Sequence, residues 1–202
     1  TRLAETREKA ISLSEDMGYP VVVKVNSPGI IHKSDCGGVK LNLRDAQQVG
    51  QAYDDIMASA SQMHPESKID GVSVQPMVSS GVEVIIGMSR DAQFGPVIMF
   101  GIGGVLVELL EDVVFRVVPV TETDAMEMIR DIRAYPVLEG YRGGKRADIS
   151  ALAHVIVGVS RFVEQRPQIT EMDLNPVLVD EHRAVVVDAR ITWKGTRGEH
   201  QV

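Results

Sequence analysis

Apolar residues along the chain switch between helical and strand periods, and each switch marks the edge of an element. Leu3, Ala10, Leu13 and Met17 recur at roughly heptad spacing and predict a helix over residues 1–17. Gly18-Tyr19-Pro20 ends it, glycine as a cap and proline as a breaker. The runs Val21–Val25 and Val39–Leu43 read as strands. Ala46, Val49, Tyr53, Ile56, Met57, Ala60 and Met63 then return to helical spacing, a second helix over about residues 44–63.

Gly71–Val78 and Gly81–Met88 read as two more strands, joined by so short a link that they are expected to pair. Asp91–Gly95 is a turn before the strand Pro96–Phe100, which opens into Gly101-Ile102-Gly103-Gly104 and then Val105–Glu108. Arg116–Val120 is a further short strand. Thr121-Glu122-Thr123-Asp124 carries a capping signature for a helix whose inner side holds Met126, Ile129 and Ile132. Past the polar loop Gly140–Lys145, Asp148 caps another helix over about 149–164, with Leu152, Ile156, Val159 and Val163 inward. Strands Ile169–Val179 and Ala184–Ile191, joined by the turn Asp180–Arg183, close the domain, and a charged tail from Trp193 is expected to fray. Irregular alternation with hairpins predicts an α+β fold, not a doubly wound parallel sheet.

Composition narrows the classes. The 202 residues suffice for one domain or two intimately packed subdomains. A net charge of −7, spread along the chain, argues against nucleic acid as a partner. No apolar run approaches the ~18 residues of a membrane span, and no secretory leader is seen. The single cysteine, Cys36, rules out an internal disulfide and fits a reducing, cytoplasmic compartment. With no basic partner beside it, packing is its better role.

Candidate chemistry gathers in two places. Ile31-His32-Lys33-Ser34-Asp35-Cys36-Gly37-Gly38-Val39 sets an imidazole beside a lysine in a loop that closes on two glycines. Neutral imidazole is a competent nucleophile near pH 7, and Lys33 and Lys24 suit a phosphoryl group. The alternative is a solvated surface loop. Glu171, Asp173 and Asn175 alternate along one strand and so share a face, with Asp188 on the next strand. Hard oxygen donors of this kind suit Mg²⁺ with nucleotide phosphates, unless they are only the wet side of a half-buried strand. None of the glycine clusters has the spacing of a P-loop or of the dinucleotide fingerprint. A nucleotide would instead lie between sheets, held by Lys24 and by the main chain around Gln75, Pro76, Met77 and Val78.

Together these stretches resemble the ATP-grasp domain of the NDP-forming acyl-CoA synthetases. The matching segments are Gly18–Val25, Ile31–Val39, Gln75–Val78, Gly81–Gly87, Phe94–Val97, Phe100–Gly104, Leu138–Gly143, Glu171–Pro176 and Val187–Arg190, nearly the whole chain in family order. The resemblance implies two α/β subdomains clasping a nucleotide, a domain over residues 1–192 and a tail over 193–202. It implies an acid–thiol ligase in which phosphate passes between ATP and His32, then to a second histidine on a CoA-binding partner, then to the acyl group. Net, acyl-CoA, ADP and phosphate yield a carboxylic acid, CoA and ATP.

By the same resemblance Lys24 contacts phosphate, residues Gln75–Val78 the adenine and Glu83 the ribose end. Asn175 and Asp188 bind Mg²⁺, and Asp173 assists His32. Gly103 and Gly104 lead to Glu108, which either faces the phosphates or caps a short helix; Arg116 pairs with phosphate or with Glu111. The family's upstream segment and its CoA-binding and ligase domains are missing, so a partner subunit or another part of the same chain is expected, and no complete reaction from this chain alone. Two rivals remain, a non-catalytic nucleotide-sensing module of the kind found in protein acyltransferase regulators, and a carboxylate–amine ligase. Neither needs His32.

Overall fold

The computed structural model describes residues 1–30, 33–78, 81–104 and 112–194. The chain divides into two compact units, Thr1–Met77 and a second that begins at Val78.

The first unit is an antiparallel sheet in the order β1 (Arg2–Ala4), β4 (Gly71–Pro76), β2 (Val21–Asn26), β3 (Val39–Leu43). Helices α1 (Arg7–Met17) and α2 (Ala46–Met63) bury Ala10, Leu13, Val49 and Ile56 against Val21, Val23, Val25, Val72 and Val74. The helix expected over 1–17 is therefore shorter. Thr6 is extended and its side chain accepts the Lys9 N–H at 3.2 Å, so the helix starts after it. The residues before Thr6 gain more from pairing with β4, which buries Ala4 completely. Gly18, at φ +80°, closes α1 by donating to the Ser14 and Glu15 carbonyls.

The second unit holds the larger sheet, in the order β10 (Ala189–Trp193), β8 (Ile169–Val179), β5 (Val82–Asp91), β6 (Gly95–Ile102), β7 (Val113–Val117), with β9 (Ala184–Val186) also on β8. Every pairing is antiparallel. On one face lie α3 (Glu122–Asp131), the single turn α4 (Tyr135–Leu138) and α5 (Ile149–Glu164). Met128, Ile129, Leu152, Ile156 and Val163 pack there against Ile86, Ile98, Phe100 and Leu174. The capping box of α3 is formed by Thr121 and Asp124, and Asp148 caps α5 through the Ala151 N–H at 2.9 Å, as their sequences predict.

Four expectations are corrected. β4 and β5 are not neighbours: β1 and β2 occupy both edges of β4, while β5 pairs with β6 and β8 in the other unit. The strand expected at 116–120 lies at Val113–Val117, because Pro119 has no N–H to continue the ladder. The last strand is broken into β9 and β10 around Val187 and Asp188. Trp193, assigned to the tail, ends β10 and packs on the core. Val105–Glu108 and the tail beyond Lys194 lie outside the described residues.

Candidate functional site

In the first unit, β2 is buried on both faces. Alternation turns Val21, Val23 and Val25 to the helices and Lys24 to the other side, beside Ser73, while Gln75 sits beside Val22. Lys24 is 7 % and Gln75 8 % exposed, so this face presents a buried ammonium and a buried carboxamide. The Thr1 hydroxyl donates to Gln75 Oε1 at 3.2 Å. Pro76 ends β4 on the surface. The Met77 N–H donates to the Pro20 carbonyl at 2.9 Å.

The loop after β2 is tied closely to the strand. The Gly38 N–H donates to the Lys33 carbonyl at 2.8 Å, the Gly37 N–H to the Ser34 carbonyl at 3.1 Å, and the Val25 N–H to the Gly38 carbonyl at 2.7 Å. Cys36 is 1 % exposed, its thiol on the Lys33 carbonyl at 3.2 Å, and its own carbonyl accepts the Ser59 hydroxyl at 2.6 Å. It packs, as expected. Lys33 stands partly exposed at the loop's base. His32 and Glu108 lie outside the described residues.

In the second unit, Glu171, Asp173 and Asn175 are exposed while Met172 and Leu174 are buried, so the acidic strand does present one face. That face is the one turned away from the helices. Where β9 and β10 part, the Asn175 N–H donates to the Asp188 carbonyl at 3.2 Å and the Val187 N–H to the Pro176 carbonyl at 3.0 Å. Asp173 keeps an edge in solvent, yet its carboxyl is held above the ordinary range. Loss of water against the sheet is the main cause, the Asp188 carboxylate adds to it, and the Arg190 guanidinium opposes both.

Glu83 is exposed near the start of β5, and its carbonyl accepts the Gly103 N–H at 2.6 Å. A Cβ on Gly103 would lie 2.8 Å from the Glu83 carbonyl carbon, so only glycine allows this approach. Gly104 follows at φ +71°. Arg116 meets a partner that was not expected, and Glu111, one of its two expected partners, lies outside the described residues. Arg116 stands opposite Ile98, on the helix side of the sheet, and its guanidinium is engaged by Asp131 of α3 at 2.7 Å. It meets an aspartate of the fold, on the face away from Asp173.

The open face carries a groove of about 280 Å³ lined by Gly87, Ser89, Met99, Phe115, Asp173 and Arg190, among others. Most of these residues carry no local signal in the sequence. Arg190 was in view as the end of Val187–Arg190, and its spacing of two from Asp188 was the available signal. Gly87, Met99 and Phe115 meet only through strand register.

The donors near Asp188 fit Mg²⁺. They are a carboxylate and an amide, with no sulfur or imidazole, and among the described residues no three His, Cys, Asp or Glu gather into a self-sufficient metal cage. A cation that keeps several waters and takes phosphate oxygens needs only one or two such ligands.

The ATP-grasp domain model matches residues 1–193. The chain is 48% identical over 190 residues to the acetate–CoA ligase [ADP-forming] I subunit beta of Pyrococcus furiosus, covering 94% of this chain and 82% of that one. It is 48% identical over 189 residues to the acetate–CoA ligase [ADP-forming] I of Archaeoglobus fulgidus, again 94% of this chain but 27% of that longer one. Among solved structures it superposes on the Ca. Korarchaeum cryptofilum dinucleotide forming acetyl-coenzyme A synthetase 1 in complex with coenzyme A, Ca-AMPCP and HgCl+. That match has a TM-score of 0.93 and 46% identity, over 96% of this chain and 84% of that one. A second structure of that protein holds coenzyme A and Mg-AMPPCP, with a phosphohistidine segment pointing towards the nucleotide binding site; here the TM-score is 0.82 at 43% identity, over 95% and 84% of the two chains.

Proposed function

The chain belongs to the ATP-grasp domain family of the NDP-forming acyl-CoA synthetases, and we propose that it is the nucleotide-binding, phosphoryl-transferring part of an ADP-forming acyl-CoA synthetase. Acyl-CoA, ADP and phosphate would yield a carboxylic acid, CoA and ATP, by way of a phosphohistidine at His32. The observation that carries the reading is the open face of the larger sheet. Asp173 and Asn175 stand out from it, and Asp188 is tied to Asn175 through the main chain at 3.2 Å. Hard-oxygen donors so arranged serve phosphoryl transfer, which needs positioning and charge neutralisation more than acid–base strength.

The roles follow from the chemistry of each group. Lys24 and Lys33 offer ammonium groups to phosphate. Glu83, with Gly103 and Gly104 against it, offers a carboxylate to the ribose hydroxyls, and Gln75–Val78 contact the base. Asn175 and Asp188 would hold Mg²⁺, which supplies charge neutralisation of the phosphates when bound. Asp173 would steady positive charge on the imidazole ring as it takes the phosphoryl group. A CoA-binding partner would complete the reaction, as a separate alpha subunit or as another part of the same polypeptide. Relatives of both lengths support this: a beta subunit of similar size and a chain several times longer. Among the described residues no helix is long and apolar enough to cross a membrane, and the buried Cys36 accords with a cytoplasmic setting.

The test is incubation with γ-labelled ATP and Mg²⁺, wild type beside His32→Asn, with and without the CoA-binding partner. Acid-labile, base-stable label on the wild type alone is the expected result. Nucleotide binding without any label, partner present, would overturn the enzyme reading in favour of a nucleotide-sensing module.

A further inference from the structure

One row of residues crosses the larger sheet on its open face. Arg190 of β10 stands opposite Asp173 of β8, Asp173 opposite Gly87 of β5, Gly87 opposite Met99 of β6, and Met99 opposite Phe115 of β7. All five line the groove of about 280 Å³. In the next row Thr192, Glu171 and Ser89 pair in the same way and line it too.

The centre of the first row is hollow because Gly87 has no side chain. A Cβ there would lie 3.1 Å from Met99 Cε and 3.8 Å from the Met172 carbonyl oxygen, and anything larger would project into the groove. Gly87 does not take a positive φ, so its want of a side chain matters for space, not for backbone conformation. Around the hollow the charges are unequal. Glu171 and Asp173 bring two carboxylates to the lining and Arg190 brings its cation. A phosphoryl group carried to Asp173 would meet repulsion from both acids. The guanidinium beside Asp173 is the group able to offset it, by a forked pair of N–H donors to two phosphoryl oxygens.

We propose that Arg190 is a further catalytic residue, which holds the oxygens of the phosphoryl group in transfer over the hollow at Gly87, with the hydroxyls of Ser89 and Thr192 beside it. The proposal rests on the phosphoryl-transfer reading above. In that step the bond between the γ-phosphorus and its bridging oxygen breaks, and the electron pair leaves on ADP. A phosphorus–nitrogen bond forms from the lone pair of the neutral imidazole. The ring keeps its other proton and becomes cationic, balancing the charge that departs with ADP. The three transferred oxygens stay on phosphorus, and Arg190 binds two of them.

The experiment compares the full-length wild type with Arg190→Lys and Arg190→Gln. It reads the rate of label transfer from γ-labelled ATP and the affinity for a non-hydrolysable ATP analogue. It also follows the Gly87 and Ser89 amides and the Arg190 Nε–H by NMR as inorganic phosphate is added. Removing one preorganised donor to a transition-state oxyanion costs about 100- to 1,000-fold in rate, so Arg190→Gln is expected to lose label transfer on that scale. Arg190→Lys keeps the charge without the fork and should recover about a tenth of the wild-type rate, while analogue affinity stays within about threefold. Phosphate should shift the three signals in the wild type and leave Gly87 and Ser89 unmoved in Arg190→Gln.

Label transfer in Arg190→Gln within threefold of wild type overturns the proposal. So do equal losses in both variants accompanied by a lower melting temperature, which would mark a structural arginine. Should the wild type take no label, the phosphohistidine reading falls by itself. The phosphate titration then decides Arg190: shifts that vanish in Arg190→Gln uphold an anion seat, and the absence of shifts removes it.

Discussion

Asn175 and Asp188, the two residues expected to ligate Mg²⁺, are joined through their main chains: the Asn175 N–H donates to the Asp188 carbonyl at 3.2 Å. The bond falls where the last strand breaks between β9 and β10, so the break itself sets the second residue beside the first. Because the main chain makes this tie, side-chain changes should leave it intact. Asp188→Asn is expected to weaken Mg²⁺-dependent binding of an ATP analogue by about tenfold or more, near 1.4 kcal/mol. Binding without Mg²⁺ should stay unchanged. Calorimetric titration with and without the ion checks this, and an equal loss in both conditions would count against a metal role.

The loop glycines should behave unlike a glycine on a helix surface. A Cβ on Gly38 would sit 2.7 Å from Val25 Cγ1 and 2.8 Å from the Lys33 carbonyl oxygen, contacts that require the loop or the strand to shift. Gly38→Ala is expected to cost about 1–3 kcal/mol, the usual range for overpacking. Gly158, exposed within α5, has nothing within 4 Å of a Cβ. Gly158→Ala should gain about 0.5–1 kcal/mol from helix propensity. Urea unfolding of the two variants side by side tests both signs at once.

Where a signal was local, it was legible. Asp148 and the inward stripe Leu152, Ile156, Val159, Val163 marked α5 correctly, because cap and periodicity lie within the helix. The alternation through Glu171, Asp173 and Asn175 foretold a shared exposed face for the same reason. Partner choice was not legible. Nothing in Gly71–Met88 says that β4 will be filled on both edges and β5 sent to another sheet. The two arginines make the point for the site. Arg116 looked available to phosphate, but a shift of a few residues in its strand puts it opposite Ile98, on the helix side. Arg190 gained its place on the open face only from its register with Asp173.

Three aspartates should make the fold sensitive to acid. The Asp91 carboxyl is held below the ordinary range by the Phe94 and Gln93 N–H groups, Asp124 by the Thr121 hydroxyl and N–H, and Asp180 chiefly by the His182 N–H. A depressed folded-state pKa contributes stability above the unfolded value, about 3.9, and loses it as pH falls through the lower folded value. Stability should therefore fall below about pH 4. The combined variant Asp91→Asn, Asp124→Asn, Asp180→Asn should be less stable at pH 7 and show a shallower decline. Urea midpoints measured from pH 7 down to about pH 2.5 decide it; parallel curves would show that these carboxylates do not govern the acid limb.

The strand that carries Asp173 and Asn175 is held at its start by one side chain. Arg90, on the helix side of β5, donates through Nε to the Ile169 carbonyl at 2.5 Å, and through Nη2 to the Arg166 carbonyl at 3.3 Å and the Val163 carbonyl at 3.5 Å. These carbonyls belong to the end of α5, the turn after it and the first residue of β8. The last carbonyls of a helix have no partner within it, and a cation there also opposes the negative end of the helix dipole. Arg90→Met keeps most of the apolar stem and removes every side-chain donor: the Val163 and Arg166 carbonyls still accept the Arg166 and Ile169 N–H groups at 3.2 and 3.0 Å, while the Ile169 carbonyl loses its short charged donor at a partly buried junction. Bonds to a charged donor contribute about 1.5–3 kcal/mol each when well made. Only the first of the three is short, so the expected loss is about 2–4 kcal/mol. Arg90→Lys, able to satisfy one carbonyl at a time, should recover less than half of it. Hydrogen exchange adds the link to the site. In Arg90→Met the amides of Glu171 and Asp173 should exchange faster than those of β2 in the first unit. Equal protection in both, with stability unchanged within about 0.5 kcal/mol, would mean that the junction holds without the arginine.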